Sequence, residues 1–118
     1  VTASQNGGPG VVVLVGNPRP GSRTLAAATG IGTGIGRVTG AGTPTVIDLA
    51  GLARHLWAPP SAELDAALDQ VRSAAVLVAA TPVYKASLTG LLKSFLDLLP
   101  PDALRGVLAV PVSVSAAP

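Results

Sequence analysis

The sequence predicts a doubly wound α/β domain built on a parallel sheet, and three observations carry that reading. Four short apolar segments, residues 11–15, 45–49, 75–80 and 107–112, start 34, 30 and 32 residues apart. About 30 residues is the length of one strand plus a crossover helix, and the right-handed crossover lays each helix on a face of the sheet. The first, third and fourth segments are unbroken apolar runs, the pattern of strands covered on both faces rather than one. Helical patterns fall between the strands.

Taken in order, residues 11–15 (VVVLV) form the first strand, and a helix opens at Ser22 and runs over 23–29. Its continuation, with Gly30, Gly32, Gly34 and Gly36, reads as irregular, because each interior glycine costs a helix about 1 kcal/mol relative to alanine. The second strand, 45–49, ends near Asp48, which caps the following segment. A helix over 61–71 takes Ser61 as N-cap after Pro59 and Pro60, with Leu64, Leu68 and Val71 on one stripe. The third strand leads to a helix over 87–99, where Leu88, Leu91, Leu92, Phe95, Leu96 and Leu99 share a face until Pro100 and Pro101 stop it.

Composition removes several function classes. A chain of 118 residues, 48% hydrophobic and 12% charged, holds one domain, expected over 11–118 behind a flexible polar tail of residues 1–10. The tail lacks the charged and apolar regions of a signal peptide, and no apolar run approaches the roughly 18 residues of a membrane span, so the expected location is cytoplasmic. Without cysteine there is no disulfide, thiolate or zinc-thiolate chemistry, and His55 is the single histidine. The net charge is +2, but the six arginines are scattered and only Trp57, Tyr84 and Phe95 are aromatic, which argues against a nucleic-acid partner. Any catalysis rests on a cofactor, on the backbone, or on Ser, Tyr, Lys, Arg and Asp.

Two loops carry the chemistry. The first, Gly16-Asn-Pro-Arg-Pro-Gly-Ser-Arg-Thr24, joins a strand end to a helix N-terminus, where free N–H groups face an anion. Asn17, Ser22 and Thr24 add side-chain donors, and Arg19 and Arg23 add charge-assisted ones, a set that suits a phosphate. Neither the dinucleotide G-x-G-x-x-G nor the Gly-Lys-Ser/Thr phosphate loop follows this strand. Pro, Gly and Ser also build ordinary strand-to-helix turns, and that reading stays open. The second loop, Thr81-Pro-Val-Tyr-Lys-Ala-Ser-Leu-Thr-Gly90, leaves the third strand: Pro82 stiffens it, and Tyr84 offers a ring or hydroxyl or merely covers the core's rim.

These residues resemble the NADPH-dependent FMN reductase family of flavodoxin-like proteins, and most nearly the branch that supplies reduced flavin to two-component monooxygenases. The family's first loop reads G-S-P-R followed by S-R/S-T, with Asn17 here replacing the usual Ser. Its second pattern, P-x-Y-x-x-S-x-x-G-x-L-K-x-x-L-D, matches Pro82 through Asp97. The resemblance implies FMN phosphate contacts from Asn17, Arg19, Ser22, Arg23 and Thr24, and ring contacts from Pro82, Val83, Tyr84 and Lys85. It implies FMN and NADPH (or NADH) as cofactors, a flavin-dependent monooxygenase as partner, and a homodimer or homotetramer whose interface shares the helix after the second loop. It also implies a third, usually glycine-rich loop after the fourth strand, where this chain has residues 113–118, and a fifth strand with its helices beyond Pro118.

The implied activity is NAD(P)H-dependent reduction of FMN, the cofactor carrying the chemistry. An FMN-containing quinone or azo reductase is the alternative, and a flavin-binding electron carrier, typically acidic, fits this basic chain less well. Lys93 and Asp97 match the family helix but read as a solvated i,i+4 pair. His55 and Trp57 read either as a wall of the flavin crevice or as a surface loop anchored by its Trp.

Overall fold

The computed structural model of the chain describes residues 10–116. The tail expected over 1–10 lies outside them except for Gly10, whose carbonyl accepts from the amides of Ala75 and Val76 and so belongs to the sheet's rim. The elements are β1 (Val11–Val15), α1 (Arg23–Thr39), β2 (Thr45–Asp48), α2 (Ala62–Arg72), β3 (Val76–Pro82), α3 (Gly90–Leu96) and β4 (Leu108–Val114), with two 3-10 turns, Leu49–Gly51 and Ala53–His55, after β2. The strands are parallel in the order β2-β1-β3-β4. Val13 of β1 sits opposite Val46 on one side and Val78 on the other.

Period two explains the unbroken apolar run of β1. Val12 and Leu14 point into a core shared with Ile47, Leu64, Val71, Leu77, Leu92 and Phe95, which α2 and α3 cover. Val11, Val13 and Val15 point the other way, onto Ala28 of α1 and beside Val78 and Ala80. A strand between two helical layers has no solvent face, and each fully buried Val or Leu contributes about 1.5–3 kcal/mol.

The structure corrects four expectations. The first helix does not stop at residue 29; it runs unbroken to Thr39 and ends on Gly40 in the left-handed conformation. Ala28, Gly32 and Gly36, spaced by four, form its buried face. A Cβ on Gly32 would overlap the Val13 side chain, and one on Gly36 would overlap the Gly42 carbonyl oxygen. The glycines therefore set how closely the helix approaches the sheet, and that packing outweighs their poor propensity.

The third helix is shorter than 87–99, because Ser87 closes a tight turn with Tyr84 and Thr89 is the N-cap; Leu88 is thereby left off the stripe and exposed. The fourth apolar run is not covered on both faces within the described residues: β4 is an edge, Leu108 is 65% exposed, and Pro111, which lacks a ladder donor, is tolerated there. Asp48 makes no side-chain cap, and its Oδ1 is buried without a partner among the described residues. Ser61, by contrast, caps α2 through the Leu64 amide. No helix of the described residues is long and apolar enough to cross a membrane.

Candidate functional site

β1 is followed by β2 on one side and then, after the chain doubles back, by β3 on the other. Loops leaving β1 and β3 therefore diverge from neighbouring strands at the carboxyl edge of the sheet, where open α/β domains hold ligands. A cleft of about 500 Å³ opens there. Its walls are Asn17, Arg19, Ser22, Arg23 and Thr24 from the first loop, Pro82, Val83 and Tyr84 from the second, and Val114, Ser115 and Ala116 after β4. Its volume falls in the range of small-molecule sites. Lys85 is not among the lining residues; it is exposed at the tip of the second loop.

The first loop is organised by its own side chains. Asn17 Oδ1 accepts the Arg19 amide at 2.9 Å, and Asn17 Nδ2 donates to Thr24 Oγ1 at 3.1 Å. Gly21, at φ 65°, turns the chain into Ser22, whose Oγ accepts the Leu25 amide at 3.1 Å. Both hydroxyls are thus used as acceptors, and their protons have no acceptor among the described residues, although Ser22 is 6% and Thr24 1% exposed. The amides of Arg23 and Thr24, at the start of α1, point the same way by helix geometry. Arg19 and Arg23 have no carboxylate partner among the described residues, whereas Arg72, Lys93 and Arg105 pair with Asp69, Asp97 and Asp102. Unspent donors and unpaired cations around one concavity suit an anion with several acceptor oxygens.

The second loop is a two-residue turn. Tyr84 and Ser87 exchange amide-to-carbonyl hydrogen bonds of 3.1 Å in both directions, and the residues between them, Lys85 and Ala86, have φ 53° and 60°. Left-handed backbone at a residue with a Cβ costs roughly 1 kcal/mol or more, so Ala86→Gly is expected to raise stability by about 0.5–1 kcal/mol, read in a denaturant titration. The Val83 amide donates to the Val114 carbonyl at 3.0 Å, which ties this loop to the third wall. Tyr84 is left half-exposed at the cleft's mouth.

Other candidates lie apart. Two depressions of about 530 and 630 Å³ surround Pro100 at the opposite end of the sheet, but the arginines lining them, Arg105 and Arg72, are paired. His55 and Trp57 line no part of the cleft. Trp57, 84% exposed, does not anchor its loop; Leu52 and Leu56 do, by packing on the core. His55 lies 4.0 Å from Glu63, an exposed carboxyl held below its ordinary value chiefly by the Ser61 hydroxyl donating to it. Lys93 Nζ meets Asp97 at 2.7 Å on the exposed face of α3, a solvated pair. Val114, Ser115 and Ala116 fall within residues 113–118, where the resemblance implies a third loop after the fourth strand, and they form the third wall at that strand's carboxyl end.

The sheet order and the cleft at the β1/β3 junction define an α/β domain of the flavodoxin-like type. A family model described as NADPH-dependent FMN reductase matches residues 9–118, and the chain belongs to that family. It is 38% identical over 99 residues to an FMN reductase (NADPH) of Pseudomonas aeruginosa, which covers 80% of this chain and 52% of that protein. Against an FMN reductase (NADPH) of Escherichia coli K12 it is 49% identical over 45 residues, 38% of this chain and 24% of the relative. The apo structure of an NADH:FMN oxidoreductase superposes with a TM-score of 0.77 at 33% identity, over 93% of this chain and 60% of that one. An oxidoreductase from Corynebacterium diphtheriae gives a TM-score of 0.77 at 28% identity, over 89% of this chain and 63% of that one. The chain thus spans about half or less of the length of these curated relatives.

Proposed function

We propose that this chain forms the flavin-holding part of an NAD(P)H-dependent FMN reductase. One observation carries the reading: two loops from adjacent parallel strands close on a cleft whose buried hydroxyl protons and two arginines have no partner among the described residues. FMN fits that donor set. Arg19, Arg23, Ser22 and Thr24 would hold the phosphate, Asn17 would keep the loop in shape, and Pro82, Val83 and Tyr84 would lie along the ring with Lys85 at its rim. Bound flavin supplies the hydride acceptor for NADPH or NADH. The residues of the cleft bind, orient and exclude water; they include no carboxylate, histidine or thiol to act as acid or base.

In this reading reduced flavin passes to a flavin-dependent monooxygenase, and the protein works in the cytoplasm as a homodimer or homotetramer. Relatives named FMN reductase (NADPH) support the reductase step; the partner and the assembly are what the resemblance of the two loops implies. The test follows NADPH and NADH oxidation by the full-length protein at matched concentrations, with and without added FMN. Turnover that requires free FMN, from colourless protein, is the expected result. Yellow protein that reduces quinones would assign the alternative, a resident-FMN quinone reductase. No oxidation of either nucleotide by folded protein would refute both.

A further inference from the structure

Thr89, at the far end of the second loop, does not line the cleft yet is bonded to the roots of both loops. It is the N-cap of α3 and 4% exposed, and besides the helix bond that its carbonyl accepts from the Lys93 amide, three hydrogen bonds meet on it. Its hydroxyl donates to the Gly16 carbonyl at 2.7 Å and accepts the Leu92 amide at 3.1 Å, while its own amide donates to Thr81 Oγ1 at 3.0 Å. The Thr81 hydroxyl in turn donates to the Pro82 carbonyl at 2.8 Å. Gly16 is the root of the phosphate-facing loop, and Pro82 is the root of the loop that carries Val83 and Tyr84. A continuous hydrogen-bonded chain therefore bridges the two roots.

The bridge has little slack. The Gly16 amide donates to the Ala80 carbonyl at 2.8 Å, and a Cβ on Gly16 would stand 2.7 Å from Leu92 Cβ and 3.2 Å from Thr89 Oγ1. An N-cap alone needs only an acceptor, which Asp or Asn supplies as well as Thr. Reaching the Gly16 carbonyl needs a donor too, and a hydroxyl provides both at once.

We propose that Thr89 is a positioning residue that sets the spacing of the two loops, so that the cleft selects a ligand spanning both: a flavin bearing a 5′-phosphate, over the flavin without its phosphate. The proposal rests on the flavin reading of the cleft. A ligand held at one end tolerates a change of spacing, whereas a rigid ring with a tethered phosphate registers it at both ends.

The test measures FMN and riboflavin affinity by flavin-fluorescence titration for full-length wild type, Thr89→Ser and Thr89→Val, and amide exchange by NMR on the ligand-free proteins. Thr89→Ser keeps donor and acceptor and should bind FMN within about threefold of wild type; Thr89→Val should lose about tenfold or more for FMN and less than about threefold for riboflavin. Exchange at the Gly16 amide should speed up in Thr89→Val and not in Thr89→Ser. Equal losses for both flavins, an undiminished FMN affinity in Thr89→Val, or a Thr89→Ser as weak as Thr89→Val would overturn the proposal. If wild type binds no flavin, the flavin reading fails and selection with it, and exchange at Gly16 then decides whether the bridge holds the loops. Should Thr89→Val not fold, Thr81→Val, which cuts the same chain at a less buried residue, carries the same comparison.

Discussion

Replacing Arg19 and Arg23 together by alanine is expected to weaken FMN binding by roughly a hundredfold, about 3 kcal/mol, while riboflavin affinity changes by less than about threefold. The size follows from what remains. Ser22, Thr24 and the first amides of α1 still face the phosphate, but no cation does, since neither arginine has a carboxylate partner among the described residues and no other basic residue lines the cleft. The same absence means that the substitutions break no internal ion pair. Stability should therefore change little, and a loss of affinity reports on binding. Fluorescence titration with the two flavins checks it; equal losses for both would place the phosphate elsewhere.

The largest stability effect is expected at Gly36. Alanine is the better helix former by about 1 kcal/mol, so propensity alone predicts that Gly36→Ala strengthens α1. Packing predicts the reverse. The new Cβ would overlap the Gly42 carbonyl oxygen, a backbone atom that cannot rotate away, and Gly42 is itself bound there through its amide on the Gly36 carbonyl at 3.2 Å. Overpacking of this kind costs about 1–3 kcal/mol, and the missing freedom of a backbone obstacle puts this case at the upper end, a net loss of about 2 kcal/mol. Gly34 supplies the control, since a Cβ there meets nothing within 4 Å and Gly34→Ala should stabilise by up to about 1 kcal/mol. Denaturant titrations of the two variants should thus move in opposite directions; a shared direction would remove the close approach of α1 as the reason for its glycines.

That contrast also marks the limit of what was legible in the sequence. Strands written as Val11–Val15 or as the apolar run through Val78 identify themselves, because burial on both faces demands apolar residues at every position. Ser61 and Ser22 identify their helices, since a cap is a local interaction. The loops were legible because a strand end, a turn and a helix start are contiguous, and the structure brings eight of their residues to one cleft. Gly32 and Gly36 were misread because their value lies in what a Cβ there would strike, the Val13 side chain of β1 and the Gly42 carbonyl where the chain turns back, contacts that helix propensity does not encode; the spacing of four from Ala28 was the available signal. The bare apolar run of β4 likewise says nothing of whether a neighbour covers it. Thr89 shows the same divide: capping is written locally, but its bond to Gly16 is not.

The cleft's three walls follow the first, third and fourth strands, ending at Thr24, Tyr84 and Ala116. A ribosome therefore delivers the first wall long before the last, and β1 waits for β3 with only β2 beside it, because crossover strands cannot pair until the intervening chain has been made. On the proposed flavin reading, the ligand has nothing complete to grip until residue 116 has been made. It would then stabilise by mass action only chains that already carry all three walls, so flavin supply should govern how long folded molecules survive rather than how many of them fold.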